Sequence, residues 1–268
     1  MRQNRPYFLI IGAAKCGTSA LREILSKHPK VGMPSREIHY FSKHPHRGDD
    51  WYLSQFKEPE RVQGEKSPSY LYDPRCHGRI KGLLPDVRMI VMLRNPVHRA
   101  WSNWNMRYND RRLIRFGLQY NQRRPKKHWL EALDLGTLTD HYLACGNRAE
   151  DLFQKPLDII HRGRYAEQIE HLLGHFNREN LLVLITERFF ADQKQGLALV
   201  CRFLNLPNFD PGPVGRVNAG VYGQVLDENI RRKLVAFYRP HNDRLFDFLG
   251  YRVEEWEDEG GWTDGIQG

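Results

Sequence analysis

Tyr7-Phe-Leu-Ile-Ile11, Met89-Ile-Val-Met-Leu93 and Leu181-Leu-Val-Leu-Ile185 are unbroken apolar runs of strand length. A strand covered on both faces shows no alternation, so each run is predicted to be a buried strand. Patterns with apolar positions three and four apart follow them. Thr18 to His28 carries Leu21, Ile24 and Leu25 on one helical face and stops at Pro29. Val97 to Tyr108 follows the second run and Ala191 to Leu204 the third, while Tyr165 to Asn177 precedes the third as a further helix. Alternating buried strands and amphipathic helices predict an α/β fold: a three-layer domain with a central parallel sheet flanked by helices. Ligands of such sheets gather beyond the carboxyl ends of the strands.

The 268 residues suit a single domain with its core at about 7–250, and the acidic, glycine-rich tail at 254–268 is expected to fray. Apolar residues at 40% and charged ones at 27% are ordinary for a globular protein, so charge balance is the informative quantity. With 41 Lys+Arg against 32 Asp+Glu the chain is at +9, which favours anionic partners. The apolar opening run is far short of the roughly 20 residues of a membrane span, and it lacks the form of a secretory leader. Cys16, Cys76, Cys145 and Cys201 are isolated from one another. They read as reduced thiols of a cytoplasmic protein, with no metal site expected.

Between the first strand and its helix lies Gly12-Ala-Ala-Lys-Cys-Gly-Thr-Ser19. Glycines five apart at a strand-to-helix turn make a loop whose N–H groups surround a phosphate, helped by the positive end of the helix dipole. The loop is P-loop-like, yet Thr18 stands where the GxxxxGK[ST] pattern has its lysine, and the lysine sits inside the loop as Lys15. A magnesium-dependent nucleotidase ends a neighbouring strand with a metal-holding aspartate. Here Arg94 follows Leu93, and Ser102 comes two turns into the next helix. Cations at two strand ends suit a nucleotide phosphorylated at two positions. They argue against the competing reading of a nucleotide kinase or other phosphotransferase.

Lys15-Cys-Gly-Thr-Ser19 taken with Arg94-Asn-Pro-Val-His-Arg-Ala-Trp-Ser102 resembles the 5′- and 3′-phosphosulfate motifs of sulfotransferases that use 3′-phosphoadenosine 5′-phosphosulfate (PAPS). The chain is most similar to their heparan-sulfate branch and its bacterial relatives, from about Phe8 to Gly250. The resemblance implies transfer of a sulfonate group from PAPS to a hydroxyl or amine of a saccharide or small metabolite, leaving adenosine 3′,5′-bisphosphate (PAP), with no metal. It implies that Lys15, Cys16, Gly17, Thr18 and Ser19 hold the 5′-phosphosulfate and that Arg94 and Ser102 hold the 3′-phosphate. Tyr165 would meet the adenine. Arg216 would belong to a late loop closing on the 3′-phosphate, although Arg216-Val-Asn-Ala-Gly220 departs from the family's Lys-Gly-Arg pattern. The cysteine pair of Golgi members is absent, as in a bacterial-type cytosolic protein.

Glu37 and His39 stand two apart, so an extended segment would turn both to one side. Ser35-Arg-Glu-Ile-His-Tyr-Phe41 resembles the family segment whose glutamate is the general base, with the histidine assisting. Lys66, in Glu65-Lys-Ser-Pro-Ser-Tyr70, resembles the lysine beside the reacting sulfonate. Lys15 would steady the departing oxygen. The segment Arg107 to Lys127 holds eight basic residues against Asp110 alone. It contains no nucleic-acid motif, which disfavours a purely polyanion-binding protein and no nucleic acid is expected as a partner. Its breaks at Gly117 and Pro125 suggest a mobile cover that draws in an anionic acceptor or gates the cofactor cleft.

Overall fold

A computed structural model describes residues 5–109, 135–145, 158–212 and 226–257. These residues divide into two compact units, a first within Met1–Arg94 and Glu167–Ala219 and a second within Asn95–Ala166 and Gly220–Asp258.

The first unit is built on five parallel strands: β1 (Phe8–Gly12), β2 (Val31–Gly32), β3 (Val62–Lys66), β4 (Arg88–Leu93) and β5 (Leu181–Ile185), in the spatial order β2-β3-β1-β4-β5. β1 lies at the centre, with Phe8 opposite Gly64 of β3 on one side and Arg88 of β4 on the other. Phe8, Leu9, Ile10 and Ile11 are all fully buried, each contributing about 1.5–3 kcal/mol by leaving water. The expected strands at β1, β4 and β5 are therefore present. β1 and β4 are covered as their unbroken apolar runs require, whereas Leu182 and Val183 of the edge strand β5 are half-buried. β2 and β3 have no such run. β3 reads Val-Gln-Gly-Glu-Lys, and Gln63, Glu65 and Lys66 are buried polar residues.

Helices flank the sheet. α1 (Thr18–Ser26) buries Leu21, Ile24 and Leu25, the face its spacing predicts. Short helices α2 (Tyr40–Lys43) and α3 (Asp49–Leu53) follow, then α4 (Pro74–Leu83), capped by the Asp73 carboxylate accepting from the Arg75 N–H. The second unit contains α5 (Pro96–Asn109), α6 (Leu135–Cys145), α7 (Asp158–His161) and the start of α8 (Tyr165–Leu173), which belongs to the first unit from Glu167 on. The helix expected over Ala191 to Leu204 is α10 (Gln193–Phe203), and a short helix that was not expected, α9 (Thr186–Ala191), precedes it. Asp192 breaks the run by capping α10 through the Gln195 N–H, a cap that a continuous helix could not make. Cys16, Cys76 and Cys201 are buried free thiols.

In the second unit, Asn95 caps α5 by accepting from the N–H of Val97, and Pro96 opens the helix. The long α11 (Glu228–Leu249) donates from the Tyr238 hydroxyl to the Ile160 carbonyl at 2.7 Å. The acidic tail does not begin to fray at Glu254. Glu254–Trp256 forms a 3-10 turn, and Trp256 is buried against Phe246 and Tyr165. Among the described residues no helix is long and apolar enough to cross a membrane.

Candidate active site

The turn from β1 to α1 is a loop with two left-handed residues, Lys15 (φ 72) and Gly17 (φ 82). Such residues curl successive N–H groups toward one concave side, where an anion binds. Gly17 is also the residue before α1, whose first-turn N–H groups have no acceptor within the helix. A side chain at Gly17 would bring its Cβ within 2.9 Å of the Phe190 ring, so both space and φ call for glycine. The loop is pinned from behind: the Thr186 hydroxyl donates to the Cys16 carbonyl at 2.8 Å.

Cys16 faces away from this concavity. Its thiol is fully buried and directed at the Ala14 carbonyl, and its N–H donates to the Ala13 carbonyl. The cysteine thus shapes the loop from inside and offers no side-chain group to a phosphate. Lys15 is half-buried. Burial, and after it the Arg94 cation, push its ammonium below the ordinary value. A cation whose charge is disfavoured by a neighbouring cation gains from an anion bound beside it.

Glu37 is the centre of the second half of the site. Its Oε1 lies 2.5 Å from Lys66 Nζ, and its Oε2 lies 2.6 Å from His39 Nε2. Burial alone would raise its pKa, but the hydrogen bonds from His39 and Lys66 and their charges outweigh it and hold the carboxyl at about 2. The expected extended segment is not what brings Glu37 and His39 together. His39 has φ 54 and sits in the left-handed region at the start of α2. Its N–H donates to Ser67 Oγ, and its Nδ1 meets Ser69 Oγ at 3.1 Å. A turn locked by two serines sets the imidazole, rather than the pleat of a strand.

Lys66 closes the circuit. It ends β3 and is only 6% exposed, and its Nζ donates to Ser19 Oγ at 2.9 Å. One ammonium therefore joins the helix that opens the phosphate loop to the carboxylate at Glu37. Glu65, its neighbour in the strand, points to the opposite face. There the buried carboxylate accepts from Tyr52 at 2.9 Å, Tyr70 at 3.0 Å and Ser67 at 2.8 Å. Burial raises the Glu65 carboxyl against these three donors. This network was not anticipated, because its members look like ordinary strand and loop residues. Its one signal was a Glu next to a singled-out Lys in a stretch with no apolar run.

Thus Lys15, Gly17, Thr18, Ser19, Glu37, His39, Lys66 and Arg94 all lie in the first unit. Ser102, 3% exposed on α5, and Tyr165, 1% exposed at the start of α8, are residues of the second. Arg216 lies outside the described residues, as does residue 110 to 127 of the basic segment. Among the described residues no group of three or more His, Cys, Asp or Glu could hold a metal ion.

The family model "Sulfotransferase domain" matches residues 5–220. Among curated proteins, human heparan sulfate glucosamine 3-O-sulfotransferase 3B1 is 27% identical over 92% of this chain and 64% of its own length. Mouse heparan sulfate glucosamine 3-O-sulfotransferase 3A1 is 28% identical over 91% of this chain and 63% of its own. The chain thus spans somewhat under two thirds of the length of these relatives. Among solved structures, a sulfotransferase from Alicyclobacillus acidocaldarius superimposes with a TM-score of 0.73 at 27% identity, over 95% of this chain and 99% of that one.

Proposed function

The chain belongs to the sulfotransferase-domain family, and from that premise we propose that it moves a sulfonate group from PAPS to a hydroxyl or amine of a saccharide acceptor. The observation that carries this reading is the chain of contacts Ser19–Lys66–Glu37, which ties an anion-binding loop to a carboxylate through a single ammonium. The saccharide is favoured because the curated relatives are heparan sulfate glucosamine 3-O-sulfotransferases by name. A cytoplasmic location accords with the isolated, buried thiols.

In this reading Lys15, the backbone of Gly17 to Ser19 and the α1 N-terminus hold the 5′-phosphosulfate, with Arg94, Ser102 and Arg216 on the 3′-phosphate and Tyr165 by the adenine. The acceptor oxygen attacks sulfur in line with the leaving phosphate oxygen. Its proton passes to Glu37, the new O–S bond forms as the old S–O bond breaks, and the electron pair remains on PAP. Lys15 and Lys66 face the charge that grows there.

The depressed Glu37 carboxyl, at about 2, is a poor proton acceptor while it is bound to both His39 and Lys66. A sulfonate arriving beside Ser19 competes for the Lys66 ammonium. Glu37 then loses one of its two hydrogen-bond partners, the Lys66 ammonium, and gains basicity when the donor is in place. His39 keeps the carboxylate aimed while Ser69 holds the other ring nitrogen.

Calorimetry with PAP, AMP and ATP–magnesium tests the donor side. PAP is expected to bind without magnesium and AMP far more weakly, since AMP has no 3′-phosphate for Arg94. Equal affinities for PAP and AMP, or preference for ATP–magnesium, would refute it. An acceptor screen with PAPS, read by mass spectrometry as a gain of one sulfonate, tests the transfer itself.

A further inference from the structure

His77 is a buried histidine that the proposed chemistry leaves unused. It lies on α4 and is 1% exposed, and its Nε2 stands 3.1 Å from the Tyr70 carbonyl and 3.2 Å from the Leu71 carbonyl. Carbonyls only accept, so Nε2 carries the ring proton and Nδ1 keeps its lone pair. Burial, and after it the His171 charge, hold the pKa of this ring at about 4, so the imidazole is neutral at neutral pH. A histidine with one N–H tied to backbone carbonyls and its other nitrogen left as a bare acceptor has the arrangement of a metal ligand.

That lone pair meets a second imidazole. His77 Nδ1 lies 2.8 Å from Nδ1 of His171, an exposed residue of α8, and both histidines belong to the first unit. The ring centroids are 4.9 Å apart, and between the two rings alone it is His171 that donates. Two nitrogens held about 2.0 Å from one metal ion are about 2.8 Å apart at a square-planar corner and about 3.3 Å apart at a tetrahedral one. The observed spacing suits the first and needs only a small opening for the second, once the exposed His171 ring turns its lone pair toward the shared ion. His175 lies one turn further on, its ring centroid 5.5 Å from that of His171 and 6.4 Å from that of His77. It is not a ligand in this arrangement, since among the described residues no group of three His, Cys, Asp or Glu could hold a metal.

We infer that His77 and His171 form a two-histidine site for a divalent metal ion that favours imidazole, copper(II) before zinc, with water or a solute completing its coordination. Nitrogen donors disfavour magnesium and calcium, which take oxygen ligands. The ion replaces the proton between the rings, that proton moves to His171 Nε2, and α4 becomes tied to α8. The site stands apart from the sulfonate-transfer reading and does not rest on it. Leu71 lies between the two: its carbonyl faces His77, while its N–H donates to the Ile11 carbonyl of β1 at 2.9 Å.

The test is a calorimetric titration of the untagged protein at neutral pH with copper(II), zinc and magnesium chlorides. Copper is expected to bind more tightly than zinc, in the usual order of these ions on nitrogen sites, and magnesium not to bind the pair. The EPR spectrum of the copper-loaded protein should show two equatorial imidazole nitrogens. His171→Gln keeps an amide N–H that can donate to His77 Nδ1, so it preserves the packing while it removes a ligand. It should weaken copper binding at least about tenfold, because the outer partners of a metal ligand are alone worth roughly 10–100-fold. The rise in Tm that copper gives the parent should vanish with it. His175→Gln should leave the affinity near that of the parent. Absence of copper and zinc binding, or binding that His171→Gln leaves unchanged, would overturn the site. So would a loss in His175→Gln as large as in His171→Gln, since the ion would then sit on His171 and His175 instead.

Discussion

Glu37→Gln is the sharpest single perturbation of the proposed chemistry, because it changes a proton acceptor into a group of the same shape that cannot act as one. The amide oxygen can keep the 2.5 Å contact with Lys66, whereas the amide nitrogen replaces the oxygen 2.6 Å from His39 Nε2. The Glu37 side chain is 35% exposed, so the ion pair is screened and its loss should change folding stability by no more than about 1 kcal/mol. Loss of a positioned general base lowers turnover by ~10²–10⁴-fold, which is about 3–5 kcal/mol of activation free energy. The two scales differ enough to be told apart. Single-turnover transfer from PAPS, quenched and read by mass spectrometry, should show that drop, while calorimetric PAP affinity stays within about threefold because the altered contact, with His39, does not belong to the phosphate loop. Turnover within tenfold of the parent would refute Glu37 as the base. A parallel collapse of PAP binding would show instead that Glu37 serves the donor site.

Lys66→Met removes the ammonium that, with the His39 hydrogen bond, holds Glu37 at about 2, so the acid limb of kcat/KM should move up toward the ordinary carboxyl value of 4.5. A limb that does not move would mean that Glu37 is not the group titrating. The same depression has a sign for folding: the Glu37 contribution is present above 4.5 and is lost as pH falls through about 2, and Lys66→Met should narrow that loss in acid denaturation curves. Glu65→Leu leaves the Tyr52, Tyr70 and Ser67 hydroxyls without their acceptor and should cost roughly 3–5 kcal/mol in urea unfolding, at about 1–3 kcal/mol for each stranded group that stays dry. Glu65→Gln, which keeps a carbonyl oxygen, should lose less. Because burial raises the Glu65 carboxyl, the parent loses stability as pH rises through that raised value, and Glu65→Gln should abolish this dependence. Gly64→Ala would place a Cβ 2.2 Å from the Phe8 ring, an overpacking expected to cost about 1–3 kcal/mol or more, and Phe8→Leu should recover part of it in the same unfolding assay.

The phosphate loop and the strands that frame it were readable because their chemistry and hydrophobicity coincide. β1 and β4 are buried on both faces, which requires Phe8 to Ile11 and Met89 to Leu93 to be apolar, while β5 at the sheet edge buries Leu181, Leu184 and Ile185 and leaves Leu182 and Val183 half-buried. β3 obeys a different rule. It lies beside β1, yet it must deliver Lys66 to the site and Glu65 to a hydroxyl cluster, so its buried residues are polar and no hydrophobic pattern marks it. Glu37 and His39 were identified as partners by resemblance and by their spacing, but the geometry assumed for them was wrong. The left-handed His39 depends on Ser67 and Ser69, about thirty residues away, and no local pattern encodes such a contact. Cys16 illustrates the converse. Its position in the motif is legible, but only the fold shows that its thiol turns inward.

The division of labour along β3 explains why the reactive groups can be loosely held. Successive residues of a strand face opposite sides, so fixing Glu65 also fixes where Lys66 emerges. Glu65 is gripped by three hydroxyls, and two of them, on Tyr52 and Tyr70, belong to a ring cluster with Tyr40 and Phe41. Ser67 then carries the restraint onward, donating to Glu65 and accepting from the His39 N–H. The backbone under Lys66 and the turn under His39 are thus referred to one buried carboxylate. Lys66 itself holds Ser19 and Glu37 only by its flexible ammonium. That combination, a rigid base beneath an exchangeable contact, lets the ammonium leave Glu37 for an incoming sulfonate without moving the carboxylate it releases.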